Sequence, residues 1–116
     1  MNLVITKHSE NFSTSPQISV ADVAEIAALG FKSIVNNRPD GEGGAEQPTS
    51  EQIRAEAERL GLGYKHIPVI PGNMSAENVS QCAAFMANSA GPLLAFCRTG
   101  TRSSNLYQTI RATLGE

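Results

Sequence analysis

The run "PLLAFC", residues 92 to 97, narrows the folds open to this chain more than any other stretch. Nearly continuous apolar residues are what a strand needs when both of its faces are covered. Two more stretches, "FKSIVNN" (residues 31 to 37) and "YKHIPVI" (from Tyr64), mix β-branched and apolar residues and also read as strands. "LVIT" near the start and "FSTS" from Phe12 give weaker strand signals.

Helical patterns lie between the strands. In "SVADVAEIAALG", Val20, Val23, Ala24 and Ala27 share a face, Ser19 is a candidate N-cap and Gly30 a C-terminal stop. "TSEQIRAEAERLG" groups Ile53, Ala57 and Leu60 and ends at Gly61. "SAENVSQCAAFMANSAG" carries the stripe Val79, Cys82, Ala83 and Met86, and from Ser103 onward Leu106, Tyr107, Ile110 and Leu114 form another. Strand and helix alternate, which predicts an α/β fold with a mostly parallel central sheet and helices on both faces. Residues 1–116 read as a single domain. The stretch "NNRPDGEGGAEQPTS", residues 36 to 50, is long for a strand-to-helix connection and too polar for a core; it is expected to be a mobile, functional loop.

Composition excludes several classes of function. Hydrophobic content of 41% and charged content of 17% suit a globular protein. A net charge of -2 argues against nucleic acid or an anionic membrane as the main partner. No apolar stretch approaches transmembrane length, and "MNLVITKHSE" lacks the basic and long apolar regions of a signal peptide, so a cytoplasmic location is expected. The two cysteines, Cys82 and Cys97, make no disulfide framework. With His8 and His66 they show no metal-ligand spacing, so no metal and no cofactor is expected. Cys82 lies on its helix's apolar stripe and reads as core. His66 reads as a hydrogen-bonded structural histidine.

Cys97 is different, because of the residues after it in "CRTGTRSSNLY". Open α/β sheets bind ligands beyond the carboxyl ends of their strands. A loop that leaves such an end and enters a helix gathers unpaired amides around one point, a cradle for an anion. Gly100 permits backbone conformations closed to other residues, and Arg102 offers a planar fork to a tetrahedral oxyanion. Arg98, Thr99, Thr101 and Ser103 complete the expected anion-binding loop. The helix end and the two arginines are expected to make Cys97 a nucleophile near neutral pH.

"CRTGTRS" resembles two families. In cysteine-based phosphatases of the dual-specificity type, histidine precedes the cysteine, glycine stands third after it and arginine sixth. Here Cys97 and Gly100 match, Phe96 replaces the histidine, and Arg102 comes one residue early, followed by Ser103. In single-domain rhodaneses the loop runs Cys-Arg-x-Gly-x-Arg, which Cys97, Arg98, Gly100 and Arg102 all match. "VNNRPDGEGGAEQP", "YKHIPV" and "CRTGTRSSNLY" together resemble the phosphatase-like domain of beta-lactamase-hydrolase-like proteins, over essentially the whole chain. The resemblance implies a fold of the dual-specificity phosphatase type and a cysteine-dependent enzyme. It also implies fusion to, or association with, a metallo-hydrolase domain.

A cysteine phosphatase needs a general acid for the leaving oxygen. In the related phosphatases it comes after the strand equivalent to "YKHIPV"; here that loop reads "IPGNMS", and Asn73 cannot serve. Asp40 is therefore the expected acid, with Glu42 as its alternative and Arg38 beside it at the cleft. The leading expectation is a hydrolase in which the Cys97 thiolate attacks a phosphate ester, on a small anionic substrate or a phosphorylated protein. A sulfurtransferase carrying a Cys97 persulfide needs no acid and suits a shorter loop. A catalytically weak anion-binding module is the third reading. On each of these readings Cys97 should lie at the base of a shallow cleft.

Overall fold

The structure, a computed structural model, describes residues 3–114. Its strands are β1 (Thr6–Ser9), β2 (Phe12–Ser15), β3 (Ser33–Asn36), β4 (Gly63–His66) and β5 (Leu93–Phe96). Its helices are α1 (Asp22–Ala28), α2 (Ser50–Arg59), α3 (Ala76–Ala87) and α4 (Thr101–Thr113), with a 3-10 turn at Gly44–Glu46. The sheet order is β1-β2-β5-β3-β4. The hairpin turn at Glu10 and Asn11 leaves β1 and β2 antiparallel, and the remaining pairs are parallel because helical crossovers join their strands.

The central strand is β5, the "PLLAFC" run, and its side chains explain why polar residues are missing from it. Leu93 and Ala95 point into one core with Val35, Cys82 of α3, and Leu106, Tyr107 and Ile110 of α4. Leu94 and Phe96 point into the other with Ile34, Val23 and Ile26 of α1, and Ile53 and Ala57 of α2. A fully buried Leu, Ile or Phe stabilises by about 1.5–3 kcal/mol relative to an exposed one, so this strand anchors both layers. Capping boxes fix the starts of α2 (Thr49 with Gln52) and α3 (Ser75 with Asn78). Among the described residues, no helix is long and apolar enough to cross a membrane.

The periodic pattern misplaces some residues. Helix α1 opens only at Asp22, so its inner face is Asp22, Val23 and Ile26, while Ala24 is exposed. Ser19 is correspondingly not the N-cap of α1, a place held by Ala21 without a side-chain bond; it closes the turn before the helix, its Oγ accepting from the Asp22 amide at 3.2 Å and its own amide donating to Asp22 Oδ2 at 2.8 Å. Leu114 lies just beyond the last turn of α4 and is 63% exposed. Pairing with β2 places β1 at Thr6–Ser9, later than "LVIT"; Leu3 and Ile5 pack on the α1/α2 core without joining the sheet. The largest correction concerns residues 36 to 50. Asn36, Asn37, Arg38 and Gln47 are buried. Each of these buried polar groups finds a partner there, which is how the two ends of so polar a segment enter the interior while residues 40–46 stay exposed. Gln47 alone accepts from the Gly43 amide at 2.6 Å and donates to the Pro39 carbonyl at 2.9 Å.

Candidate active site

Strands β3, β4 and β5 end side by side, and the loops leaving them build the site. Cys97 directly follows β5. Its Sγ accepts the Gly100 amide at 3.1 Å, which closes the loop 97 to 100 onto the sulfur. Gly100 has φ +93°, in the left-handed region, and starts α4. That φ is why the turn needs glycine, since a Cβ there would make only ordinary contact, 3.5 Å from the Ser15 backbone. Arg102 then falls on the first turn of α4 and folds back towards the sulfur, with which it interacts.

The Arg102 guanidinium is held by three hydrogen bonds to two partners. Nη1 donates to Glu42 Oε2 at 2.8 Å and to the Val69 carbonyl at 2.9 Å, and Nη2 donates to Glu42 Oε1 at 2.7 Å. Of the five N–H groups a guanidinium carries, Nε–H and the second hydrogen on Nη2 remain for the sulfur and whatever it attacks. Arg38 braces the same carboxylate, its Nε donating to Glu42 Oε1 at 2.8 Å while Nη1 donates to Gln17 Oε1 at 3.1 Å. The side chains of Arg38, Arg102 and Glu42 are 9%, 13% and 21% exposed, so the cluster is a mostly buried layer. Hydrogen bonds from Arg102 first, and then from Arg38, hold the Glu42 carboxyl below its ordinary range against the opposing effect of burial. In return, hydrogen bonding to Glu42 raises the Arg102 pKa and keeps that side chain charged.

Several expected site residues meet at this point. Arg38, Arg98, Thr99, Thr101 and Arg102 line one cleft of about 890 Å³, with Glu42, Gly43, Pro71, Gly72 and Asn105. Thr99 Oγ1 donates to Thr101 Oγ1 at 3.1 Å, which stiffens the loop between the arginines.

Others do not. Asp40, expected here as the acid, is turned to the start of α2, where its Oδ1 accepts the Ser50 amide at 2.7 Å; it is not among the cleft's lining residues. The orphan amides of a helix start attract a carboxylate, and that attraction takes Asp40 away from the sulfur. Ser103, expected to bind the anion, is fully buried and donates through Oγ to Asn37 Oδ1 at 2.8 Å. Cys97, expected at the open base of the cleft, is itself completely covered and lies beneath the loop it anchors. It belongs to neither apolar core, in contrast to Cys82, whose thiol burial pushes up to about 12. His66 is structural as expected, its Nε2 donating to the Arg38 carbonyl at 2.9 Å.

Sequence reasoning missed Asn37 and Gln17. Asn37 is fully buried, bridging the Ile67 carbonyl (2.9 Å from Nδ2) and Ser103, so it ties β3, the segment after β4 and α4 together beneath the cleft. Two adjacent asparagines at a strand's end were the available signal. Gln17 gave none, because its backbone amide and its Oε1 serve Arg98 and Arg38, far along the chain.

The family of the phosphatase-like domain of beta-lactamase hydrolase-like proteins matches residues 5–114. The chain belongs to that family. A beta-lactamase hydrolase-like protein of Agrobacterium fabrum is 36% identical over 99 residues, which is 85% of this chain and 23% of that protein. A namesake from Xylella fastidiosa is 33% identical over the same length. This phosphatase-like domain thus spans about a quarter of the length of those relatives. Among solved structures, a candidate phosphatase of Neisseria meningitidis is 39% identical, with TM-score 0.85 over 97% of this chain and 79% of that one. P. aeruginosa TpbA, solved with phosphotyrosine, shares the fold at TM-score 0.66 and 17% identity, over 96% of this chain and 64% of that one.

Proposed function

We propose that this phosphatase-like domain is a cysteine-dependent hydrolase of phosphate compounds. One observation carries the reading: Arg102 stands on the first turn of the helix that the Cys97 loop enters, and Glu42 and the Val69 carbonyl orient its guanidinium on the cleft that this loop lines. The Cys97 thiolate attacks phosphorus, an S–P bond forms, and the P–O bond to the leaving group breaks with its electron pair going to oxygen. Loop amides and Arg102 hold the equatorial oxygens. Water then hydrolyses the phosphocysteine. Because Cys97 is covered, the residues over it must shift before substrate reaches the sulfur. Neither carboxylate near the site is suited to act as acid. Glu42 is held ionised between two arginines, and Asp40 is committed to α2. Turnover therefore depends on leaving groups that depart without a proton. An association with a metallo-hydrolase domain belongs to the same proposal.

The short loop and the missing acid also favour a second reading, sulfur transfer. Cys97 would attack the outer sulfur of thiosulfate, the S–S bond would break, and sulfite would leave with the electron pair, giving a Cys97 persulfide. Mass spectrometry of Cys97 separates the two after parallel incubation with an aryl phosphate and with thiosulfate. Phosphate release that is lost in Cys97→Ser, with no sulfur gained on Cys97, is the expected result. A gain of one sulfur without phosphate turnover would replace the first reading by the second. Cys82 is the internal control and should stay unmodified in the native protein.

A further inference from the structure

We infer that Arg98 forms a second anion subsite, so that the cleft takes a small molecule whose scissile phosphate is joined to another phosphate. The inference rests on the anion-holding loop proposed above and extends it to substrate class. Arg38 and Arg102 are both engaged by Glu42, and additionally by Gln17 and Val69 respectively. Arg98 is not. It is exposed on the same cleft, and among the described residues its side chain has no hydrogen-bond, ion-pair or aromatic partner. Its backbone is nonetheless fixed, because its carbonyl accepts the Gln17 amide at 3.2 Å. An anchored backbone with a free guanidinium leaves five donors to offer.

The rest of the cleft agrees in chemistry. Three arginines face one glutamate, a local excess of two positive charges on a chain whose net charge is -2. Among the described residues, no aromatic side chain lines the cleft to pack against a phosphotyrosine ring; besides Pro71, the uncharged side chains there are Thr99, Thr101 and Asn105, each with a polar group to offer. The absence of a suitable acid points the same way. In a phosphoanhydride the bond broken lies between phosphorus and the bridging oxygen, and the departing phosphate accepts the electron pair without needing a proton first. Arg98 would hold that departing phosphate.

Calorimetry on Cys97→Ser tests the subsite without turnover, using pyrophosphate and orthophosphate as probes. Charge-assisted contacts to one more phosphate predict pyrophosphate binding about tenfold tighter than orthophosphate. Adding Arg98→Gln should remove most of that ratio, whereas Arg54→Gln, the same charge change on distant α2, should not. A ratio unchanged by Arg98→Gln overturns the subsite. So does equal loss in both charge variants, tighter binding of a phosphotyrosine peptide than of pyrophosphate, or no binding of either probe. If the ratio behaves as expected but no phosphate ester or anhydride is turned over, the hydrolase reading fails while the subsite stands. If an aryl phosphate is turned over but the ratio is absent, the reverse holds.

Discussion

Glu42 is a single carboxylate shared between Arg38 and Arg102, residues 64 positions apart in the chain. Its folded pKa lies below its ordinary value, so its contribution to stability is complete above the unfolded glutamate pKa of about 4.3 and is lost as pH falls through the lower folded value. Glu42→Gln should therefore melt at a lower temperature than the wild type near neutrality, and the gap should narrow as pH drops below that point. Melting curves across the acid range check this; a gap independent of pH would mean that the charge is not what binds the two arginines. Glu56 titrates in the same direction, through its hydrogen bond to Arg59, but it is present in both proteins and cancels in the comparison. Ser103→Ala removes the donor to fully buried Asn37 Oδ1. An acceptor left unsatisfied in the interior costs about 1–3 kcal/mol, which should appear as a lowered urea midpoint with an unchanged slope.

At the scale of elements, α2 and its preceding loop are joined by more than the capping box. Asp40 takes the Ser50 amide, Ser50 Oγ and Tyr64 OH lie 2.7 Å apart, and Asn36 Nδ2 donates to Tyr64 OH at 3.1 Å. Burial raises the Tyr64 phenol, keeping it neutral as the hub of this chain. Asp40 thus ties the loop that carries Glu42 to the start of α2. Asp40→Ala should cost about 1 kcal/mol of stability, the usual size of a lost N-terminal cap. Its effect on turnover should be the same for good and poor leaving groups. A loss confined to poor leaving groups, measured as kcat/KM, would restore Asp40 as the acid.

Across the whole molecule, the site is a convergence of loops from parallel strands, and among the described residues no loop delivers a protonated acid to it. The turn after β4, fixed by the Asn73 amide donating to the Ile70 carbonyl at 2.9 Å, presents only Pro71 and Gly72 to the cleft. A series of aryl phosphates should therefore show kcat/KM falling steeply as the leaving phenol becomes more basic, since charge accumulates on an oxygen that nothing protonates. A flat dependence would reveal an acid that reaches the cleft only when the residues over Cys97 shift.

The fold was legible because its signals are local. The apolar run of "PLLAFC" required two covered faces, and alternation of strands with helices required parallel pairing. Cys97, Gly100 and Arg102 were legible for the same reason: neighbours on one tight turn face one point whatever surrounds them. Helix faces were read less well where the start was misjudged, as with Ala24 and Ile26, because a shift of the first turn rotates the buried stripe. Only the tertiary structure decided which side chains reach the loop from elsewhere. Spacing within residues 36 to 50 offered Asp40 and Glu42 as equivalent carboxylates; the helix start of α2 claimed the first, and the arginines claimed the second. Hydrogen bonds and ion pairs act over a few ångströms of space and ignore distance along the chain, so Glu42–Arg102 and Asn37–Ser103 had no sequence signature. Those long-range pairs orient Arg102 on the cleft and tie β3 to α4 beneath it, and among the described residues they leave the Arg98 side chain without a partner at the rim.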